Sequence, residues 1–185
     1  MKDINHALIT GRIVNLYVIN NNPARVIVTI FSDGNNPKVF AANKTAEYII
    51  KNLKVGDYVT AECNLQSSYK NKIGKTVTVF VDKIKKHCSR VASENKFFLA
   101  GDIVSVRTNT KLNISTMIIA TTVNGRRSTV EVTFYDPDHR IFGIISDNPD
   151  ISIKGRIQTV SYTVNNKKVY RQIYVADFPR NNSNE

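Results

Sequence analysis

The sequence predicts an all-β chain with short helices, folded as two small five-stranded barrels in tandem. Three observations lead there. The opening Leu8-Ile9-Thr10-Gly11-Arg12-Ile13-Val14 returns about ninety positions later as Phe98-Leu99-Ala100-Gly101-Asp102-Ile103-Val104. Each opening leads into β-type segments that end in a hairpin-like pair, 58–66 with 75–81 and 151–162 with 169–175. A repeat of this length is too long for a solenoid and suits a small domain duplicated within one chain of 185 residues.

In the first unit, residues 7–18 are apolar and β-branched, and Gly11 inside them marks a bulge or a sharp bend, as at a barrel corner. Asn20-Asn21-Asn22-Pro23 is a turn cluster. Residues 25–31 alternate as a second strand, with Val26, Val28 and Ile30 on one face and Ile27, Thr29 and Phe31 on the other. After the loop 32–37 comes a third strand, 38–42. Thr45 is then the expected N-cap of a helix, with Tyr48 at N3 and Ala46, Ile49, Ile50 and Leu53 at helical spacing. Val55-Gly56-Asp57 ends it, and strands 58–66 and 76–81 close the unit around a tip running from Tyr69 to Lys75.

Residues 83–96 are polar, without a clear period, and are expected to link the units. Strand one of the second unit is expected at 98–107, strand two at 114–123 and strand three at 129–135. Asn124-Gly125 between the last two is a two-residue hairpin signal, with Arg126 and Arg127 at its tip. Ile141, Ile144 and Ile145 predict a short helix, and a last hairpin turns around Asn165-Asn166-Lys167-Lys168. Three strands, a helix and two strands is the chain order of an OB-fold, a five-stranded Greek-key barrel. The expected division is a first OB-fold over 1–86, a linker over 87–96, a second OB-fold over 97–180 and a short polar tail over 181–185.

The chain holds 26 Lys and Arg against 15 acidic residues, a formal charge of +11. Such an excess points to a polyanionic partner without specifying a fold. Residues 1–92 carry 14 basic and 6 acidic side chains, net +8; residues 93–185 carry 12 and 9, net +3. Cys63 and Cys88 form no C-x-x-C, and Cys63 reads as a small core residue. The first residues lack the apolar run of a signal peptide, and no stretch approaches the ~20 apolar residues of a membrane span. The expected setting is cytoplasmic, with no membrane partner.

Within this frame the chain resembles the single-stranded DNA-binding proteins of bacteria and their phages, in the form with two OB-folds per chain. The opening Ala7-Leu8-Ile9-Thr10-Gly11-Arg12-Ile13 is similar to that family's first strand. The run from Lys44 through Lys54-Val55-Gly56-Asp57 to Val59 is similar to its short helix followed by Lys-x-Gly and a strand. Asn64-Leu65-Gln66 and Gly155-Arg156-Ile157-Gln158 resemble its strand-four ending. The resemblance spans residues 7–85 and, more weakly, 98–178. It implies binding and coating of single-stranded DNA with little sequence preference, in support of replication or recombination. It also implies a homodimer supplying four barrels. The chain departs from the family in having no Trp, and Ala41-Ala42 stands where a stacking ring is expected; the second unit has Phe134-Tyr135 there. The final Arg180-Asn181-Asn182-Ser183-Asn184-Glu185 is not the family's acidic tail, so no docking of partners through such a tail is expected. That ending and the Asn/Lys/Ile-rich composition fit a phage or a mobile element.

A binder of single strands needs cations along the phosphates and flat rings against the bases. The last hairpin of each unit offers both: Tyr69 with Lys70, Lys72 and Lys75, and Tyr162 with Lys167, Lys168, Tyr170 and Arg171. An ordinary solvated hairpin whose Tyr covers a barrel end would look the same. Phe31, Phe40 and Tyr135, beside Lys38, form a stacking platform if their face meets solvent and core if it does not. Phe80 and Tyr174 occupy corresponding places in the closing strands and face either nucleic acid or an interface. Arg126, Arg127, Arg12, Arg25 and Arg156 complete the candidates for phosphate contact. His6, His87 and His139 lack ligand spacing, no phosphate-cradling Gly-rich motif occurs, and Asp136-Pro137-Asp138 reads as a turn. No enzyme, metal or cofactor is expected. Two alternatives stay open: an OB-fold interaction or inhibitor module acting on a nucleic-acid enzyme, and an RNA-binding protein.

Overall fold

A computed structural model describes residues 3–70, 74–123, 125–147 and 152–178. Eleven strands and two helices follow in the order β1 (Ile4–Asn21), β2 (Ala24–Phe31), β3 (Lys38–Ala42), α1 (Asn43–Asn52), β4 (Tyr58–Lys70), β5 (Gly74–His87), β6 (Glu94–Ala100), β7 (Asp102–Asn109), β8 (Ile114–Val123), β9 (Arg126–Tyr135), α2 (Ile141–Asp147), β10 (Ser152–Val164) and β11 (Lys167–Ala176). The strands neighbour one another as β2-β3-β5-β4-β1-β6-β10-β11-β9-β8-β7, and a further β1–β2 pairing closes the first barrel. In each unit the third strand meets the fifth in parallel, β3 with β5 and β9 with β11, while the other pairs are antiparallel. This is the expected all-β chain of two OB-fold barrels.

Gly11 and Gly101 bend the first strand of each barrel in the same way. A Cβ on Gly11 would lie 2.1 Å from the Phe31 carbonyl oxygen, and one on Gly101 would lie 2.1 Å from that of Ala120. Only a residue without a side chain lets the strand cross its neighbour this closely. In the first barrel the bent strand runs unbroken as β1. In the second it divides at Gly101 into β6 and β7, where the sequence suggested one strand over 98–107.

The two barrels are related by an approximate two-fold inside one chain. β1 and β6 are equivalent strands and pair antiparallel with each other, Ala7 facing Phe97. An interface that repeats itself about a two-fold is the usual contact of a symmetric dimer. Here a single chain makes it. The Asn5 side-chain amide donates to the Leu65 carbonyl (2.8 Å), and its carbonyl oxygen accepts from the Leu65 amide (2.7 Å). Asn95 does the same with Ile157, at 2.7 and 3.1 Å. Each Asn thereby supplies the two hydrogen bonds that a neighbouring backbone would give, and the buried peptide groups are satisfied.

Three local expectations are corrected. Residues 83–87 belong to β5, which pairs past a register shift at Glu62/Cys63 with the start of β4. The run lacks an apolar signature because Lys83, Lys85 and Lys86 are exposed and, of the two half-buried side chains, Ile84 and His87, only Ile84 is apolar. With β6 starting at Glu94, the stretch between the two strands is 88–93. Helix α1 starts at Asn43 rather than behind Thr45, with Ala42 at the N-cap and no side-chain cap. Ala46, Ile49 and Leu53 are buried as expected. Finally, Phe80 and Tyr174 are not counterparts. Tyr174 pairs with Ile157 and Val132 and is buried, like Val79, which pairs with Leu65 and Val39. The counterpart of Phe80 is therefore Val175.

Bulk is exchanged between the two cores. Ala7 faces Cys63 in the first barrel, and Phe97 faces Gly155 in the second. A Cβ on Gly155 would sit 2.6 Å from the Phe97 ring, so the missing side chain makes room for it. Phe97 meets Tyr174 edge-on at 6.0 Å. Burial pushes the Cys63 thiol and the Tyr174 phenol upward, so both stay neutral.

Candidate nucleic-acid interface

Side chains that face each other across neighbouring strands stand about 5 Å apart on one surface. On the outside of the first barrel, the register sets Tyr17 beside Ile27, Ile27 beside Phe40, and Phe40 beside Phe80. The result is one apolar row across β1, β2, β3 and β5. Tyr17 is 60 % exposed, and the Phe40 and Phe80 rings lie 5.5 Å apart at 54°. Arg25 and Lys38 stand exposed on either side of this row. Flat rings flanked by cations can stack bases and hold the phosphates between them.

The second barrel has Arg107, Thr116, Thr133 and Val175 in the corresponding row. The exposed ring of Tyr135 lies one row away at the end of β9, opposite Ile114 and in the place of Ala42. The expected platform of Phe31, Phe40 and Tyr135 is therefore not assembled. Phe31 and Phe40 share the outer surface of the first barrel in different rows, and Tyr135 belongs to the other barrel. Phe31 is next to Arg12, which is next to Tyr58.

The closing hairpins reach across the barrel boundary. The Ser67 hydroxyl on β4 accepts from the Thr129 amide of β9 at 3.0 Å. In return the Thr159 hydroxyl of β10 donates to the Asn36 carbonyl at 3.0 Å, and the Gln172 side chain accepts from the Lys38 amide. The second hairpin thus lies against the start of β3, bringing Lys38 near β11. Within that hairpin Tyr162, Lys167 and Arg171 share one face, and Lys168 and Tyr170 share the other. The Lys168 ammonium sits 5.6 Å from the centre of the Tyr170 ring. Asn165 and Asn166 both have positive φ, 47° and 61°, as a tight type I′ turn requires.

In the first hairpin Tyr69 is 78 % exposed and faces Lys75. Lys70 ends β4, and Lys72 lies outside the described residues. Arg127 pairs with Asp102 at 3.3 Å, and Arg171 approaches Glu131 at 3.9 Å. Arg12, Arg25, Arg126 and Arg156 are exposed and enter no ion pair among the described residues. Tyr17, Ile27 and Tyr58 were not singled out from the sequence. Their candidacy comes from strand pairing, and the only sequence signal is an outward ring or β-branched side chain on an alternating strand.

Two carboxylates among the described residues are held by several partners each. Asp136 is buried. Burial works against its charge, but the Ser115 hydroxyl at 2.7 Å and the Arg140 and Ile141 amides outweigh it and hold the carboxyl below its usual range. It thereby anchors the turn into α2, as expected of Asp136-Pro137-Asp138. The Lys86 ammonium, 2.8 Å away, and the Lys54 amide hold Asp57 low as well. Among the described residues no group of three His, Cys, Asp or Glu is placed to hold a metal ion, and no helix is long and apolar enough to cross a membrane.

No family model matches the sequence, and no curated protein sequence matches it. The architecture does match solved structures. A deletion variant of the single-stranded DNA-binding protein from Thermus aquaticus superposes with a TM-score of 0.67 at 15 % identity, over 96 % of this chain and 98 % of that one. The wild-type protein from the same organism gives 0.65 at 15 % identity, over 95 % and 91 %. The likeness extends over both barrels and their mutual arrangement, and at this identity it is a likeness of fold.

Proposed function

We propose that the chain binds and coats single-stranded DNA with little sequence preference, using both barrels on one strand. The observation that carries this reading is the outward row Tyr17-Ile27-Phe40-Phe80 between Arg25 and Lys38. Ring faces accept any base, and cations accept any phosphate, so such a row favours affinity without sequence readout. The solved structures of like architecture carry the name of single-stranded DNA-binding proteins, which supports the same reading. In it each barrel is one strand-binding unit, with residues 88–93 between them, and the role is non-enzymatic. The strand is protected and kept unfolded during replication or recombination in the cytoplasm, of a phage or mobile element. Two chains would present four barrels.

The test is a titration of the whole chain with oligo-dT at several salt concentrations, with an oligo-U competitor. Each phosphate contact on a single strand contributes about −0.7 to the slope of log affinity against log salt, so a handful of contacts gives a steep line. No binding to oligo-dT would shift the reading to a protein-interaction module. Preference for oligo-U would shift it to RNA.

A further inference from the structure

We propose that the segment between the barrels completes a second contact point for the strand, in which Arg12 and Arg90 hold one phosphate and Phe31 with Tyr58 receives the neighbouring base. This rests on the reading of the chain as a single-strand binder and adds a site outside the Tyr17–Phe80 row. The notch, of about 240 Å3, is lined by Arg12, Phe31, Tyr58, Arg90, Val91 and Ser93. Phe31, Arg12 and Tyr58 are direct cross-strand neighbours on β2, β1 and β4, so ring, guanidinium and ring follow one another along one surface. Phe31 is 44 % exposed although the three residues before it, Val28, Thr29 and Ile30, are buried. Arg90 and Val91 come from the stretch 88–93, which no strand claims.

The charge is one-sided. No acidic residue lines the notch, and neither arginine enters an ion pair among the described residues. Two guanidiniums held together in a concavity repel each other unless an anion lies between them, and planar forks of N–H donors suit a phosphate. The rings beside them suit a base. The volume is below the roughly 300–1,000 Å3 of small-molecule sites, which fits one nucleotide of a longer strand better than a free ligand. The second barrel carries the opposite design: Asp102 stands in the place of Arg12 and Ala120 in the place of Phe31. The contact therefore belongs to the first barrel and the connecting segment, where a strand leaving one barrel for the other would pass.

The experiment titrates the full chain and its Arg12→Gln, Arg90→Gln and Lys154→Gln variants with oligo-dT from about 50 to 200 mM salt. Thermal melts verify that the exposed substitutions leave the fold intact. Since both arginines hold one phosphate, either variant is expected to flatten the log–log slope by up to about 0.7, which shrinks the affinity lost over that range by up to about 2.6-fold, while Lys154→Gln, on the exposed face of β10 away from the notch, leaves the slope unchanged. Ultraviolet cross-linking of bound oligo-dT is expected to give adducts on Phe31 or Tyr58. Arginine variants with the wild-type slope, or with the same change as Lys154→Gln, would overturn the notch alone. A wild-type chain that does not bind oligo-dT would overturn the underlying reading and the notch with it.

Discussion

The two barrels share a skeleton and differ in their skin. Gly11 and Gly101 make the same close crossing, and Asn5 and Asn95 clamp the same backbone positions, Leu65 and Ile157. The positions that match the first barrel's outward side chains do not correspond in chemistry. Arg12, Tyr17, Phe31, Phe40 and Phe80 in the first barrel stand where the second has Asp102, Arg107, Ala120, Thr133 and Val175. Closure of the barrel and pairing of β1 with β6 constrain the inner positions in both copies, whereas each outer surface is free to take its own role. The first barrel carries the ring row and most of the net charge. The second contributes a hairpin with Tyr162 and Tyr170, and its remaining cations are partly paired.

The largest effect that can break this comparison is structural. Gly11→Ala and Gly101→Ala should each cost about 3 kcal/mol, because the new methyl would meet a backbone oxygen that cannot move aside. Thermal and urea unfolding would measure it, and a large cost at only one glycine would show that the barrels do not share the crossing. Next come the clamps. Asn95→Leu should destabilise by about 2–3 kcal/mol and Asn5→Leu by less, since Asn95 is buried and Asn5 only partly so.

On the binding side, Phe40→Ala or Phe80→Ala should weaken oligo-dT affinity by about 1–3 kcal/mol, whereas Tyr135→Ala should change it less. Equal losses would mean that the second barrel stacks bases as strongly as the first. The hairpin variants Tyr69→Ala and Tyr162→Ala are expected at the lower end of the same range, about 1 kcal/mol, without loss of thermal stability. The smallest effect is in pH. Asp136 and Asp57 both have folded-state values below their unfolded ones, so their contribution is complete above the usual carboxyl range and is lost as pH falls below about 4. Asp136→Asn should flatten that acid loss more than Asp57→Asn, because Asp136 is buried and anchors α2.

The order of strands, the helix between third and fourth, the duplication and the basic excess were legible because each is carried by local pattern. Periodicity shows alternating faces, and Gly and Asn-rich clusters show bends and turns. The continuation of β5 through Lys83-Ile84-Lys85-Lys86-His87 was hidden, because Ile84 is its one apolar side chain and three exposed lysines surround it. The start of α1 was displaced because Ala42 caps it without a side chain.

By itself, then, the sequence determined two OB-folds of unequal charge and a set of candidate rings and cations. Only the tertiary structure decided which candidates meet. It put Tyr17 and Ile27 into one row with Phe40 and Phe80, moved Tyr135 to a separate surface, buried Tyr174, and gave Arg12 the company of Phe31, Tyr58 and Arg90. The physical reason is that a strand's alternation says which side chains share its face, while the register with its neighbours, fixed by the Gly bends, the Asn clamps and the β1–β6 pairing, says which faces and rows come together.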